Sequence, residues 1–485
     1  MTNFVKRNLL QGFMILALTI GLTACGQQQD TPPVEKDTAE PAPVILSDAE
    51  VENIVRRTYQ YVAMYNVNNK TAFDLTSPMH TGGLNIMKAN TTLADHTLQA
   101  IARPNNDTLY TFGLLDLRNE PIILDIPAFD SKYVSLMVTG YDHYVNIPMS
   151  TRLGDFGEPS RILFYTERTH GYAGEAVDGV DKVVEMTGDF VSAVFRVMPH
   201  ANEPERMQFN LEAKKSVRAI GLSEFQTGVV PEPSVTPDFP KFGTTDFDIY
   251  ENNLLEVMQF AINHSSFEAD DEVDQELLAA LEPLGVVPGR TYDPAAVAKI
   301  DGARFRAVAE RISPETLAKA TDPKFFAANI TSLFLPKGQI PMELLLFQSV
   351  LGPIGQPAVE AVYPSISTSD GEPMNAMNDY VIRMSGDELP PTAAFWSATL
   401  YDTANGFFMP NDRKKYSVGE NAGMALDEEG GISIYISAEQ PEGVPDENWL
   451  PLVRGDYAID VIMRIYAPDL ERFETWTAPV AERLE

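Results

Sequence analysis

The sequence predicts an α+β, β-rich chain: two β-sandwich or jelly-roll-like domains with a largely helical connecting region. Three observations carry this. Between 121 and 198, short runs rich in β-branched and aromatic residues are cut by Pro, Asp and Gly, the punctuation of strands. Helix-start signals dominate from about 250 to 350, and the strand pattern returns after Pro390-Pro391. Strands, then helices, then strands suggest sandwiches or jelly rolls at both ends.

The chain opens with Lys6 and Arg7, followed by an apolar stretch over 9–22. That stretch is shorter than the roughly 20 residues a membrane span needs and suits the hydrophobic region of an export signal. Leu22-Thr23-Ala24-Cys25 follows and resembles the lipobox of bacterial lipoproteins. The resemblance implies a signal peptide over 1–24, cut before Cys25, whose thiol carries a diacylglycerol and whose new amine is acylated. Cys25 is the only cysteine, so no internal disulfide competes for it. Several acyl chains anchor firmly where one would not. The expected address is the cell envelope, on the periplasmic face of the outer membrane, because Gly26 and not Asp follows the cysteine. The stretch 26–44, GQQQDTPPVEKDTAEPAPV, is polar and proline-rich. It reads as a stiffened tether, so 25–45 links anchor to domain.

The first domain is expected over 46–250. Ser47 and Glu50 form a capping box for a helix running to about Tyr65. The runs PIILDIP, YVSLMVTGY, YVNIPM, ILFYT and FVSAVFRVM then read as strands. In the helical region, 251–360, Asp293-Pro294 and Ser313-Pro314 each place a capping residue before a proline. The last domain, 361–485, holds the strands FWSATLYD, GISIYIS and YAIDVIMRIYAP.

Composition excludes several functions. The formal net charge is −33, with 69 acidic against 36 basic residues spread along the chain. Nucleic-acid binding needs clustered Lys and Arg, and anionic lipid would repel such a surface. No Walker A loop, G-x-G-x-x-G, G-x-S-x-G or H-E-x-x-H occurs, so nucleotide, α/β-hydrolase and zinc chemistries have no motif. The six histidines, at 80, 96, 143, 170, 200 and 264, are scattered, and no cofactor or metal is expected. Asp402-Thr403-Ala404-Asn405-Gly406 starts like a calcium loop, but no glutamate closes it, and a hairpin turn is the better reading.

The candidate site is the segment 103–116. Arg103, Asn105, Asn106, Asp107, Tyr110 and Asp116 bring a cation, two amides, two carboxylates and a phenol together. Pro104 fixes its own φ, and Asn or Asp side chains tie neighbouring amides. If 109–117 is a strand, Tyr110 and Asp116 share a face. Two readings stay open: a rigid turn held by side-chain bonds and an Arg103–Asp107 ion pair, or a polar cluster at a pocket mouth for a hydroxylated or carboxylated ligand. His143, beside Asp142, is a weaker acid–base candidate. Trp396 and Trp449 read as packing residues, with sugar stacking as the alternative.

Arg103-Pro104-Asn105-Asn106-Asp107-Thr108-Leu109-Tyr110, with Leu115-Asp116-Leu117, resembles the signature of the DUF1254 domain. Pro390-Pro391, Ala394-Phe395-Trp396-Ser397, Tyr401-Asp402, Asn411, Tyr416-Ser417, Asn448-Trp449-Leu450-Pro451, Arg464-Ile465-Tyr466-Ala467-Pro468 and Trp476 resemble the DUF1214 domain. The resemblance implies β-rich domains, the second jelly-roll-like, and homo-oligomers, but no reaction. Lys415 stands before Tyr416 where the pattern has Arg, and it lacks the guanidinium fork; the stretch before Tyr363 also departs from the pattern. Two function classes follow. One is a noncatalytic binding or assembly protein with a polar pocket for a small molecule or carbohydrate. The other is a periplasmic hydrolase of an ester or glycoside, with Asp107 or Asp116 as acid–base groups and Arg103 stabilising an anion.

Overall fold

The structure is a computed structural model, and it describes residues 44–99, 103–232, 235–319 and 323–484. The lipobox with Cys25, and most of the tether, lie outside the described residues. The fold is α+β, with 29% helix and 23% strand. Among the described residues no helix is long and apolar enough to cross a membrane.

In the first β half, two sheets face each other. One has the spatial order Lys88–Ala89, Leu109–Asp116, Phe190–Val197, Val134–Thr139, Ile147–Ser150, all antiparallel. The other runs Lys182–Glu185, Ser160–Tyr165, Ile122–Ile126, Arg218–Gly221. Strand side chains alternate between faces. Leu115, Val191 and Phe195 of the first sheet therefore meet Leu124, Ile162 and Phe164 of the second in one core. The other face of the first sheet is covered too: Leu114 and Phe190 join one helical core, Phe112 and Val194 another. A sheet buried on both faces reads as continuous apolar runs, as FVSAVFRVM does.

The covering layer includes the helices Asp48–Phe73, Leu254–Asn263, Gly302–Ala318 and Met342–Leu351. Val55 and Val62 of the first pack against Leu254, Val257, Phe305 and Ile312. The capping box is present, with the Ser47 amide donating to Glu50 Oε2 at 2.7 Å. The first helix continues past Tyr65 to Phe73 because its asparagines are bonded inside: Asn66 donates to Asp246 and Asn69 to the Tyr141 hydroxyl. Asp293-Pro294 opens only a turn. The long helix instead starts after Asp301, whose carboxylate caps Arg304 N. Ser313-Pro314 starts nothing, since Pro314 sits inside that helix.

The second β half is one curled sheet. Its order is Ser417–Gly419, Thr392–Asp402, Ile459–Pro468, Ser365–Thr368, Val480–Arg483, Tyr380–Met384, Ile432–Ser437, Trp449–Pro451, with Ala361–Val362 also on Ile459–Pro468. Trp396, Ala398, Val461, Met463 and Ile465 from one end share a core with Ile382, Ile434 and Ile436 from the other.

Candidate functional site

The two long strands of the second half have a second, more polar face. Opposite the core residues, Thr392–Asp402 presents Phe395, Ser397, Thr399 and Tyr401. Ile459–Pro468 presents Asp460, Arg464 and Tyr466, in register with Tyr401, Ser397 and Phe395 respectively. The segment 103–108 lies on this face. Arg103 Nη2 donates to Asp460 Oδ2 at 2.9 Å, and Arg464 Nη2 to Arg103 O at 3.1 Å. The Tyr401 hydroxyl donates to Pro104 O at 2.7 Å, Asn105 Nδ2 to the Tyr466 hydroxyl at 2.7 Å, and Ser417 Oγ to Asn106 Oδ1 at 3.1 Å. The predicted turn is therefore also a seam between the two β halves.

The side-chain-tied turn is present: Asn105 Oδ1 accepts from Asp107 N at 2.7 Å and Thr108 N at 3.1 Å. The expected Arg103–Asp107 pair is not. Arg103 takes Asp460, while Asp107 faces Arg464 Nε at 3.8 Å and accepts from the Tyr466 hydroxyl at 3.2 Å. Arg103 has φ +50°, although it precedes a proline. That combination is disfavoured and is held here by Arg103 N donating to Gly406 O at 2.6 Å.

Asp107 is fully buried, and its Oδ1 has no hydrogen-bond partner. Burial pushes its carboxyl above the usual range, against the pull of Arg464 and of the Ser397, Tyr466 and Thr399 hydroxyls. The Ser397 hydroxyl, also buried, faces this carboxyl.

Tyr110 extends the cluster along the first sheet. It pairs across the strands with Arg196, which in turn pairs with Ser135. Arg196 Cζ stands 5.6 Å from the centre of the Tyr110 ring. Arg196 is 3% exposed, and among the described residues no carboxylate pairs with it. Its Nη2 donates to Ile354 O, and its Nη1 has no partner. The segment 353–363 runs over this row. Gln356 Nε2 donates to Ser135 Oγ at 2.6 Å, and Glu360 accepts from Ser150 and Arg152. Tyr363 ends the segment. Its phenol is raised by burial and lies within the fields of Arg196, Arg464, Tyr110 and Asp107, yet part of its surface stays accessible.

Asp116 belongs elsewhere. It closes the far end of its strand, bonded to Arg118 at 2.8 Å. Asp107 lies before the other end of that strand, whose length from Leu109 to Asp116 is roughly 23 Å, far beyond the 5–10 Å of a glycosidase carboxylate pair. The two carboxylates are not placed to act together as a pair. Near Asp116, Asp189 holds His264 Nδ1 and Arg168 Nε, both at 2.8 Å.

The remaining candidates are structural. His143 is buried between Ser349 Oγ at 2.7 Å and Pro353 O at 3.0 Å, and burial pushes its imidazole down to about 4. Trp396 and Trp449 are buried, which removes the sugar-stacking reading. Asp402–Phe407 is a hairpin turn, with Asp402 N donating to Phe407 O. Lys415 Nζ donates to Asp446 O at 2.6 Å. Among the described residues no three His, Cys, Asp or Glu side chains are placed to hold a metal ion. A surface recess of about 410 Å³ opens beside the seam, lined by Gln99, Asp402, Asn405, Phe408, Met409 and Tyr457 among others.

Sequence reasoning missed Arg196, Arg464, Tyr466, Ser397 and Tyr363 as site residues. The two arginines had a signal: each interrupts an otherwise apolar strand run, FVSAVFRVM and VIMRIYAP, where a charge must face a partner or a ligand.

The likeness to known proteins fits this layout. Residues 84–218 match the family "Protein of unknown function (DUF1254)" and residues 360–470 match "Protein of unknown function (DUF1214)". The solved VPA0106 protein of Vibrio parahaemolyticus shares the fold: TM-score 0.66, 24% identity, over 90% of this chain and 100% of that one. A structure of an uncharacterised protein from Burkholderia cenocepacia aligns at TM-score 0.41 and 12% identity, over 90% of this chain and 94% of that one. No curated protein matches. The two segments that carry the family signatures, 103–110 and 464–468, meet at the seam, and the chain is a DUF1254- and DUF1214-domain-containing protein.

Proposed function

We propose that this is a lipid-anchored cell-envelope protein that binds a small polar molecule in the seam between its two β halves. The observation that carries the reading is a set of buried polar atoms along the seam that make no standard hydrogen bond. Asp107 Oδ1 and Arg196 Nη1 lack partners, and Tyr363, accessible in part, lies within the fields of both groups and of Arg464. A buried unpaired polar group typically costs about 1–3 kcal/mol, so two on one seam favour a bound molecule that completes them. The lipobox at Cys25 supports attachment to a bilayer, and the tether supports a domain held clear of it. The outer membrane's periplasmic face is the proposed address, and self-association is proposed from family resemblance alone.

The test is untargeted mass spectrometry of compounds carried through purification by the full chain in detergent, compared with Asp107→Asn. The expected result is a compound enriched in the wild type and lost in the variant, with similar melting temperatures. A large melting shift with the compound retained would make 103–110 scaffold.

A further inference from the structure

Within that seam reading, on which this inference rests, we propose that the ligand is a small organic acid whose carboxylate is held by Arg196. Arg196 is 3% exposed, and no carboxylate pairs with it among the described residues. The buried Arg464, by contrast, has Asp107 at 3.8 Å, and the half-buried Arg152 and Arg168 have Glu360 at 3.0 Å and Asp189 at 2.8 Å. Arg196 has a peptide carbonyl, Ile354 O, and Tyr110, by its ring face and its hydroxyl, all of them uncharged partners. A desolvated cation without a counter-charge is strongly disfavoured, and the chain could have avoided it with a neutral residue at this strand position.

The geometry around Arg196 restricts the partner. One nitrogen, Nη1, is open while Nη2 is occupied, which suits a single carboxylate oxygen better than a bidentate clamp. The Tyr110 ring lies 5.6 Å from the guanidinium, and Tyr363 lies within its field. Toward the second β half lie the buried Asp107 carboxyl and the Ser397 hydroxyl that faces it. Burial raises the Asp107 carboxyl, which lessens its repulsion of an acid. The Glu360 carboxylate, the nearest other anion of the overlying segment, is already committed to Ser150, Arg152 and Tyr133. It is neutralised and does not compete for Arg196.

The experiment uses the full chain in detergent. Crystals soaked in bromide are expected to show an anomalous peak beside Arg196 Nη1, a readout that needs no variant. In solution, benzoate should raise the melting temperature, whereas benzylamine, with the same ring and the opposite charge, should not. Arg196→Met and Arg196→Lys should weaken benzoate about 10–100-fold, the loss of a hydrogen bond to a charged group. Bromide absent from Arg196, or equal benzoate affinity in wild type and Arg196→Met, overturns the proposal. Binding of benzylamine at the seam without benzoate also overturns it, but leaves the seam as a binding site. If no probe binds and no compound co-purifies, the seam reading itself falls.

Discussion

Asp107 and Arg464 face each other across the seam at 3.8 Å, one from each β half. The separation is too long for a hydrogen bond, and each group is held mainly by others. Arg464 bonds Thr399 Oγ1 and Arg103 O, both at 3.1 Å, and Asp107 takes the Tyr466 hydroxyl. Removing them should therefore be unequal. Arg464→Gln is expected to lose about 3–5 kcal/mol, the usual cost of stripping a buried charge network. Asp107→Asn should lose less than about 1.5 kcal/mol while ending ligand binding. Denaturant melts of both variants check this; equal large losses would make Asp107 a purely structural anchor.

The same carboxyl gives a pH arm. Its folded pKa is raised by burial, so its contribution is complete below the unfolded value, about 3.9, and is lost as pH rises through the folded one. Wild type minus Asp107→Asn stability should therefore decline from pH 4 upward, and a rise would show that Arg464 dominates.

Arg103 and Asp460 are partly open, with side chains 35% and 25% exposed. Their ion pair should contribute about 1 kcal/mol at most. Arg103→Ala and Asp460→Asn should each cost little, and the double variant no more than either. Arg103→Gly should fare better than the pair term alone suggests, because glycine adopts φ +50° without strain. A coupling energy between Arg103 and Asp107 as large as that with Asp460 would contradict the observed pairing.

Lys214 is a buried cation, 1% exposed, whose Nζ donates to Asn90 O at 2.8 Å and Asn90 Oδ1 at 2.9 Å. Burial pushes its amine down to about 7. Its contribution is complete above the unfolded value, about 10.4, and is lost as pH falls toward 7. Wild type minus Lys214→Met stability should rise between pH 7 and 10 by up to about 1.4 kcal/mol per unit. Urea melts at several pH values measure it, and a flat difference would mean the amine stays charged.

Cys25→Ser should abolish incorporation of labelled palmitate and release the protein from the membrane fraction. Unchanged labelling would remove the lipobox assignment.

Much of the fold was legible because strand runs announce themselves: PIILDIP, YVSLMVTGY and YAIDVIMRIYAP all lie on observed strands. Short edge strands such as Lys182–Glu185 and Arg218–Gly221 carry too few apolar residues to signal, and Pro204–Ser216 hides its helix behind a polar sequence. Pro314 misled because a proline after serine marks a helix start only when the preceding chain is not already helical. For the site, the turn chemistry of Asn105 was readable locally. The partners of Arg103 and Asp107 were not: they lie some 350 residues away, and register across a seam leaves no local trace in sequence.

The strands Thr392–Asp402 and Ile459–Pro468 commit one row of side chains to their own core and the other to the first half. Neither half therefore owns a finished exterior. Produced alone, each would display a raw flank bearing Arg464 and Tyr466, or Arg103 and Asn105, and would be prone to clump. Calorimetry of the whole chain should accordingly give a single endotherm, because melting either half withdraws the wall on which the other is built.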